Sequence, residues 1–305
     1  MGTLEAGLAA LGVAPLAVAK LAGDASRRCF FRVSLAGGVT VVAALYPDAL
    51  EGQAGRDHEV QAWGWHRGLP IPKPLGRHGA VVVSQDVGDE DLDRAVAVKG
   101  ETILTLALEA LATFQACGWE DLRTAPFDAA FFRKELVVFE ESALPPEVRQ
   151  RPEVPAFLDA LAEGLAAHPY RLVHRDFHVN NLFLSEGKVW AVDYQDMRGG
   201  PDTYDLASLL RERGGATLAD EAAARLRAAA LLGWAPGWKW RYLECAAQRG
   251  LKVIGTFLRL AAAGRTDYLR WLPAVRERSA EALETLGAPE ALRGAVAGPA
   301  RGQGL

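Results

Sequence analysis

Residues 171–196, RLVHRDFHVNNLFLSEGKVWAVDYQD, constrain the fold more than any other stretch of this 305-residue chain. An apolar strand ending at Val173 delivers His174, Arg175 and Asp176 into a polar loop that closes at Asn181. A turn at Ser185, Glu186, Gly187 and Lys188 follows, and a second strand over 189–192 presents Asp193, so the stretch reads as one compact hairpin. Asp and Asn favour turns for local hydrogen-bonding reasons. That preference does not account for a further carboxylate delivered at the end of the next strand.

The spacing suits phosphoryl transfer, which needs an oriented acceptor and cations on the charged oxygens rather than covalent help. In H-x-D-x-x-x-x-N, Asp176 accepts the proton of an acceptor hydroxyl and Asn181 holds a metal, while Asp193 links Mg²⁺ to nucleotide phosphates. His174 and His178 share i, i+4 spacing, but they sit in a loop among carboxylates, which suits Mg²⁺ rather than zinc.

On these residues the chain resembles the protein-kinase-like superfamily, and within it the small-molecule kinases of the aminoglycoside phosphotransferase and choline kinase type. The resemblance implies an α+β bilobal fold. A small β-rich nucleotide-binding lobe with a helix is expected over 1–88 and a hinge near 84–90. A larger, mainly helical lobe carrying the catalytic hairpin and the acceptor site is expected over 89–290, with a flexible tail over 291–305. It implies ATP and Mg²⁺ as cofactors and backbone groups of Gln85 and Val87 as adenine contacts. His174 and Asp205 would brace the catalytic loop, Asp205 by hydrogen-bonding its backbone.

Composition narrows the alternatives. Half of the residues are apolar, enough for a sizeable core. A formal charge of −4 argues against a general nucleic-acid binder. Cys29, Cys117 and Cys245 lie far apart without C-x-x-C spacing, so neither a disulfide framework nor a zinc site is expected. No run approaches the roughly 18 apolar residues of a membrane span, and the first residues lack a charged leader, so a cytoplasmic protein is expected.

In the first lobe, Gly23, Asp24, Ala25 and Ser26 form the candidate phosphate-covering turn, followed by Arg27 and Arg28. Protein kinases carry a phosphate-holding Lys on the third strand, whereas 41–45 read Val-Val-Ala-Ala-Leu. Strand alternation sends Arg28 and Arg32 to one face, where either can replace that lysine. On the helix over 56–67, Glu59 is either the counterpart of the kinase helix glutamate or a solvated surface residue. Candidate acceptor contacts are His178, Asp196, Arg249 and Lys252.

The twelve positions from Asp193 to Asp205 leave no room for the activation segment that docks a polypeptide, so a protein substrate is excluded. Five ordered stretches resemble the anomeric kinases of N-acetylmuramate and N-acetylglucosamine: LAGDASRRCFFRV, GLPIPKPL, FDAAFFRKELVVF, VDYQDMRGGPDTYDLASLLRE and QRGLKVIGTFLRL. That resemblance implies phosphorylation of a sugar hydroxyl, the anomeric one, in cell-wall sugar recycling. After ELVVF the chain departs from the family's aromatic-bearing segment with Glu140, Glu141, Ser142, Ala143, Leu144, Pro145 and Pro146. Two alternatives stay open: a kinase for an aminoglycoside, choline or another amino alcohol, and a nucleotide-binding pseudokinase, which the missing lysine favours.

Overall fold

Alternating apolar side chains along 29–45, and valines on both faces of 81–85, give a sheet with a helix packed on each face. The computed structural model describes residues 2–21, 27–213 and 220–298, without the side chains of 96–99. Gly23, Asp24, Ala25 and Ser26 lie outside the described residues. The chain divides into two compact units, Met1–Asp91 with Leu182–Met197, and Leu92–Asn181 with Arg198–Leu305.

The first unit holds a five-stranded antiparallel sheet in the order β1-β2-β3-β5-β4. Its strands are β1 (Ala17–Lys20), β2 (Cys29–Ser34), β3 (Thr40–Leu45), β4 (Pro74–His78) and β5 (Val81–Gln85). Helix α1 (Gly2–Ala10) presses Leu4 and Leu8 onto Phe31, Val33, Val41, Ala43, Val81 and Val83. A Cβ at Gly7 would lie 2.6 Å from Val81 Cγ2, so the absence of a side chain lets this helix approach the sheet closely. Helix α2 (Glu51–His66) covers the other face, where Ala54 joins Tyr46, Ala80 and Val82.

The same unit contains the hairpin of β7 (Leu182–Ser185) and β8 (Lys188–Ala191). Its loop residues Glu186 and Gly187 both have positive φ, the type I′ geometry that matches strand twist. Backbone bonds tie the hairpin down: Leu184 N–H to Glu90 O at 2.8 Å and Ala191 N–H to Pro70 O at 2.7 Å. Trp190 stacks on Trp65 with ring centroids 6.4 Å apart.

The second unit is mainly helical. It runs through α3 (Leu92–Ala116), α4 (Ala129–Ala143), the short α5 (Pro146–Arg149) and α6 (Glu153–Ala166) to β6 (Tyr170–Val173). It resumes with β9 (Arg198–Pro201), α7 (Tyr204–Arg211), α8 (Glu221–Leu232), α9 (Trp238–Ala262), α10 (Leu272–Thr285) and α11 (Glu290–Ala297). The central element is α9, against which α4, α6, α7 and α10 pack. At Gly255 a Cβ would lie 2.6 Å from the backbone of Phe139, which sets how closely α4 and α9 approach.

Two local expectations are corrected. Residues 171–196 are not one hairpin: β6 pairs antiparallel with β9, and β7 pairs with β8. The sequence Arg-Gly-Gly-Pro lacks apolar alternation, yet it is a strand because close neighbours leave no space for side chains. A Cβ at Gly199 would lie 2.4 Å from Trp119, and one at Gly200 would lie 2.7 Å from Phe127. Neither Asp202 nor Thr203 caps α7 through its side chain; Asp202 instead takes Arg241 in a buried pair at 3.0 and 2.7 Å. Of the stretch expected as a tail, residues 291–297 belong to α11, which buries Leu292 and Val296. Among the described residues, no helix is long and apolar enough to cross a membrane.

Candidate active site

In the second unit, β6 delivers the chain to Arg175, whose φ of 81° lies in the left-handed region that side chains disfavour. Asp205, fully buried in the first turn of α7, accepts from His174 N–H at 2.6 Å and Arg175 N–H at 3.0 Å and so holds that turn. Burial pushes the Asp205 carboxyl up to about 7, against the downward pull of these amides and Arg249. His174 is also buried, its ring edge-on to Phe114 and Phe177 with centroids 5.6 and 5.9 Å away.

The loop then fixes Asp176 from both sides. Its carbonyl accepts from His178 N–H and from Asn181 Nδ2, each at 3.0 Å. Its side chain, 30% exposed, lies 3.5 Å from Arg249 Nη2 and 3.7 Å from Lys252 Nζ. Burial alone would raise this carboxyl, but Lys252, Arg249 and Arg175 outweigh it and hold the group well below the usual carboxylate range. Asp176 is therefore ionised at neutral pH.

The two cations come from adjacent turns of α9 and are themselves braced. Arg249, 1% exposed, lies 2.5 Å from Glu212, donates to the Arg175 carbonyl and lies over the Tyr204 ring at 4.4 Å. Lys252 lies 3.2 Å from Glu135 on α4, which also accepts from Arg175 and Gln248, both at 3.0 Å. Burial pushes Glu135 up, yet Lys252 and Arg175 bring it down to about 2. His178 is held well below its ordinary value by burial and then by the charge of Arg213, so it is neutral. Asp176, His178, Glu212, Arg213, Arg249 and Lys252 line one pocket, which Val253, Thr256 and Phe257 complete.

In the first unit, Asp193 follows β8 in a left-handed conformation, φ 65°. Its Oδ1 accepts from Arg28 Nη2 at 2.6 Å and from Gln195 at 3.0 Å. Arg28 Nη1 donates to Gln195 at 3.1 Å and lies 3.5 Å from Asp57, which also accepts from Tyr46 at 2.7 Å. Burial and the nearby charge of Asp196 raise the Asp57 carboxyl, against the Tyr46 bond and Arg28. Asp196 ends the short helical turn Tyr194–Asp196.

Arg32 points elsewhere. It clasps Asp86 with two bonds of 2.5 and 3.0 Å and Asp89 with one of 2.6 Å. Gln85 closes β5, its side chain accepting from Lys73 N–H at 3.2 Å, and Val87 is buried just beyond.

The sequence reading did not single out Glu135, Gln248, Glu212 or Asp57. Asp57 carried a readable signal: it shares the buried stripe of α2 with Ala54, Val60, Gln61 and Gly64, while Glu59 is exposed on another face. Glu135 and Gln248 gain meaning only from the approach of α4 to α9, and Glu212 only from the approach of the end of α7 to Arg249 on α9.

The α+β architecture, with a sheet unit and a helical unit, is that of protein-kinase-like phosphotransferases. The model of the phosphotransferase enzyme family APH matches residues 17–243, and the chain belongs to that family. A protein of Neisseria meningitidis named N-acetylmuramate/N-acetylglucosamine kinase is 29% identical over 63% of this chain and 60% of its own length. The chain thus spans less than two thirds of that relative. A protein of Pseudomonas putida with the same name is 27% identical over 82% of this chain and 78% of its own. Among solved structures, a choline/ethanolamine kinase family protein from Mesorhizobium loti superposes with TM-score 0.62 at 19% identity, covering 97% of this chain and 99% of that one.

The depressed carboxyl of Glu135 predicts an acid sensitivity. Its stabilising contribution is fully present above the ordinary value of 4.5 and is lost as pH falls through about 2. Glu135→Gln removes that contribution, so the stability gap between wild type and variant narrows from about pH 5 to about pH 3. Urea unfolding midpoints across this range measure it; a gap that stays constant contradicts the assignment.

Proposed function

We propose that this chain transfers the γ-phosphoryl group of ATP, with Mg²⁺, to a hydroxyl of an amino sugar, the anomeric hydroxyl of N-acetylmuramate or N-acetylglucosamine. The observation that carries this reading is Asp176, ionised beside Lys252 and Arg249 on a loop anchored by Asp205. The names of the two relatives support the acceptor class.

Asp176 orients the acceptor hydroxyl and takes its proton as the hydroxyl oxygen bonds to the γ-phosphorus. The bond from that phosphorus to the bridging oxygen breaks, leaving ADP, and no covalent enzyme intermediate is needed. His174 and Asp205 keep the loop in place. Arg249 and Lys252 keep Asp176 charged and oriented.

Among the described residues, no group of three or more His, Cys, Asp or Glu is arranged to hold a metal alone. Mg²⁺ takes one or two carboxylates and completes its shell with water and substrate phosphates. Asp193 of the first unit, with a side chain 39% exposed, and Asn181 of the second, whose amide nitrogen is used on the Asp176 carbonyl, each have an oxygen of the kind that role needs. A bound ion would neutralise charge on the phosphate oxygens. Arg28, with Asp57 behind it, stands in for the absent third-strand lysine, while Arg32 serves as a clasp to Asp86 and Asp89. Gln85 and Val87 offer backbone groups to adenine.

The pocket beside Asp176 carries three cationic side chains against two carboxylates. A quaternary amine or a polycationic aminoglycoside would meet repulsion there, whereas a neutral or acidic sugar would not. This observation favours the amino-sugar reading over the amino-alcohol one.

The function is tested by Mg²⁺/ATP turnover over amino sugars, neutral hexoses, choline and aminoglycosides, with the phosphorylated position assigned by NMR. Turnover on choline or an aminoglycoside and on no sugar rejects the proposal. Asp176→Asn lowers kcat by about 10² to 10⁴ while ATP binding persists, the range for losing a general base; near-normal turnover sinks the assignment. Arg28→Ala raises KM for ATP about tenfold or more, as expected for losing a charge-assisted hydrogen bond. An unchanged KM removes Arg28 from the nucleotide site.

A further inference from the structure

Resting on the transfer just proposed, we propose further that Lys252 is a catalytic residue whose ammonium donates to the acceptor oxygen as Asp176 takes its proton, and that Glu135 is its positioning residue. The two cations that α9 brings to Asp176 differ in freedom. Arg249, 1% exposed, is held by Glu212 and the Arg175 carbonyl over the Tyr204 ring. Lys252 lines the pocket with its side chain 17% exposed, and its Nζ lies 3.2 Å from Glu135 Oε1 and 3.7 Å from Asp176 Oδ1. An ammonium has three donors on a rotatable stem, so one remains beyond those that face the two carboxylates.

At 3.7 Å, Nζ and Oδ1 are too far apart to hydrogen-bond each other, yet one oxygen about 2.8 Å from each fits between them. A hydroxyl oxygen there donates to Asp176 and accepts from Lys252. As its proton passes to Asp176, its electron pair bonds the γ-phosphorus and the bridging oxygen leaves with ADP. Negative charge builds on the acceptor oxygen beside an ammonium already in place, which keeps its own protons throughout.

Glu135 is fixed independently of Lys252, since it accepts from Arg175 Nη2 and Gln248 Nε2, both at 3.0 Å. The helices bring carboxylate and ammonium together at their closest approach. Gly255 lies one turn beyond Lys252 on α9, and its missing side chain admits the backbone of Phe139, one turn beyond Glu135 on α4. Without the Glu135 charge, the carboxylate left beside Nζ is Asp176, and the ammonium closes onto it and fills the space of the hydroxyl oxygen.

The test measures kcat at saturating ATP and N-acetylglucosamine, KM for ATP, and melting temperature. Lys252→Met lowers kcat about 10²- to 10³-fold, the range for one donor to a developing oxyanion, with KM for ATP within about threefold of wild type. Lys252→Cys falls equally. Alkylating its introduced thiol with 2-bromoethylamine restores an ammonium at close to lysine length and recovers kcat at least about tenfold. Wild type treated alike controls for Cys29, Cys117 and Cys245, and mass spectrometry confirms the adduct. Glu135→Gln lowers kcat about tenfold or more, the effect of misplacing a reacting group. In the Lys252→Met background it costs no more than about threefold further, because it acts through Lys252.

Lys252→Met with near-wild-type kcat, an alkylated Lys252→Cys without recovery, or a loss confined to KM for ATP each overturn the role of Lys252. Losses that multiply in the double variant, or a Glu135→Gln protein that melts lower at unchanged kcat, overturn the role of Glu135. If Glu135→Gln does not fold, Lys252→Met, which leaves Glu135 with Arg175 and Gln248, and the alkylated Lys252→Cys still decide. Wild type that phosphorylates another hydroxyl compound and neither sugar rejects the amino-sugar reading alone, and the same variants then decide on that compound. Wild type without transfer to any hydroxyl rejects the transfer and both roles with it.

Discussion

The carboxylate of Asp205, buried at the start of α7 and accepting the amides of His174 and Arg175, is the contact on which the second unit's site depends. A buried carboxyl is costly unless hydrogen bonds satisfy it, and two backbone donors offset part of that cost, burial still raising the group to about 7. In return they hold Arg175 in the left-handed region, and that turn aims Asp176 into the pocket. The β6–β9 pair sets the height of the loop, and glycines 199 and 200 let β9 fit under Trp119 and Phe127. Fold and chemistry thus meet at one pair of hydrogen bonds.

From that anchor, charge alternates outward. Asp176 faces Lys252 and Arg249; Lys252 meets Glu135, which meets Arg175; Arg249 meets Glu212. Each buried charge has an opposite neighbour, so removing one strands another. The arrangement keeps Asp176 ionised despite its surroundings, the state a proton acceptor requires. It also accounts for Gln248, which takes an oxygen of Glu135 left by the cations.

Much of this was legible in the sequence, for identifiable reasons. Asp176, Asn181 and Asp193 stand out because their local spacing around a tight loop is that of the roles proposed for them. The sheet of the first unit follows from alternation, as with Phe31 and Val33 against Arg32. Elements whose cause is tertiary were not legible. The strand over Arg198–Pro201 lacks any strand pattern because its glycines answer to Trp119 and Phe127 rather than to periodicity. Glu135 reads as one charge among several in FFRKELVVFEES until α9 brings Lys252 beside it. Strand alternation predicted that Arg28 and Arg32 share a face, but not that only Arg28 reaches Asp193, because the partners lie far along the chain.

The central claim is that Asp205 serves catalysis by holding the loop that aims Asp176. Turnover by Asp205→Asn at saturating ATP and acceptor tests it most directly. Asparagine keeps the size but presents an amide nitrogen to one of the two backbone donors. The account predicts that kcat falls at least about tenfold, the effect of misplacing a reacting group, while nucleotide affinity changes little and the protein remains folded. A folded Asp205→Asn protein with wild-type kcat would contradict it.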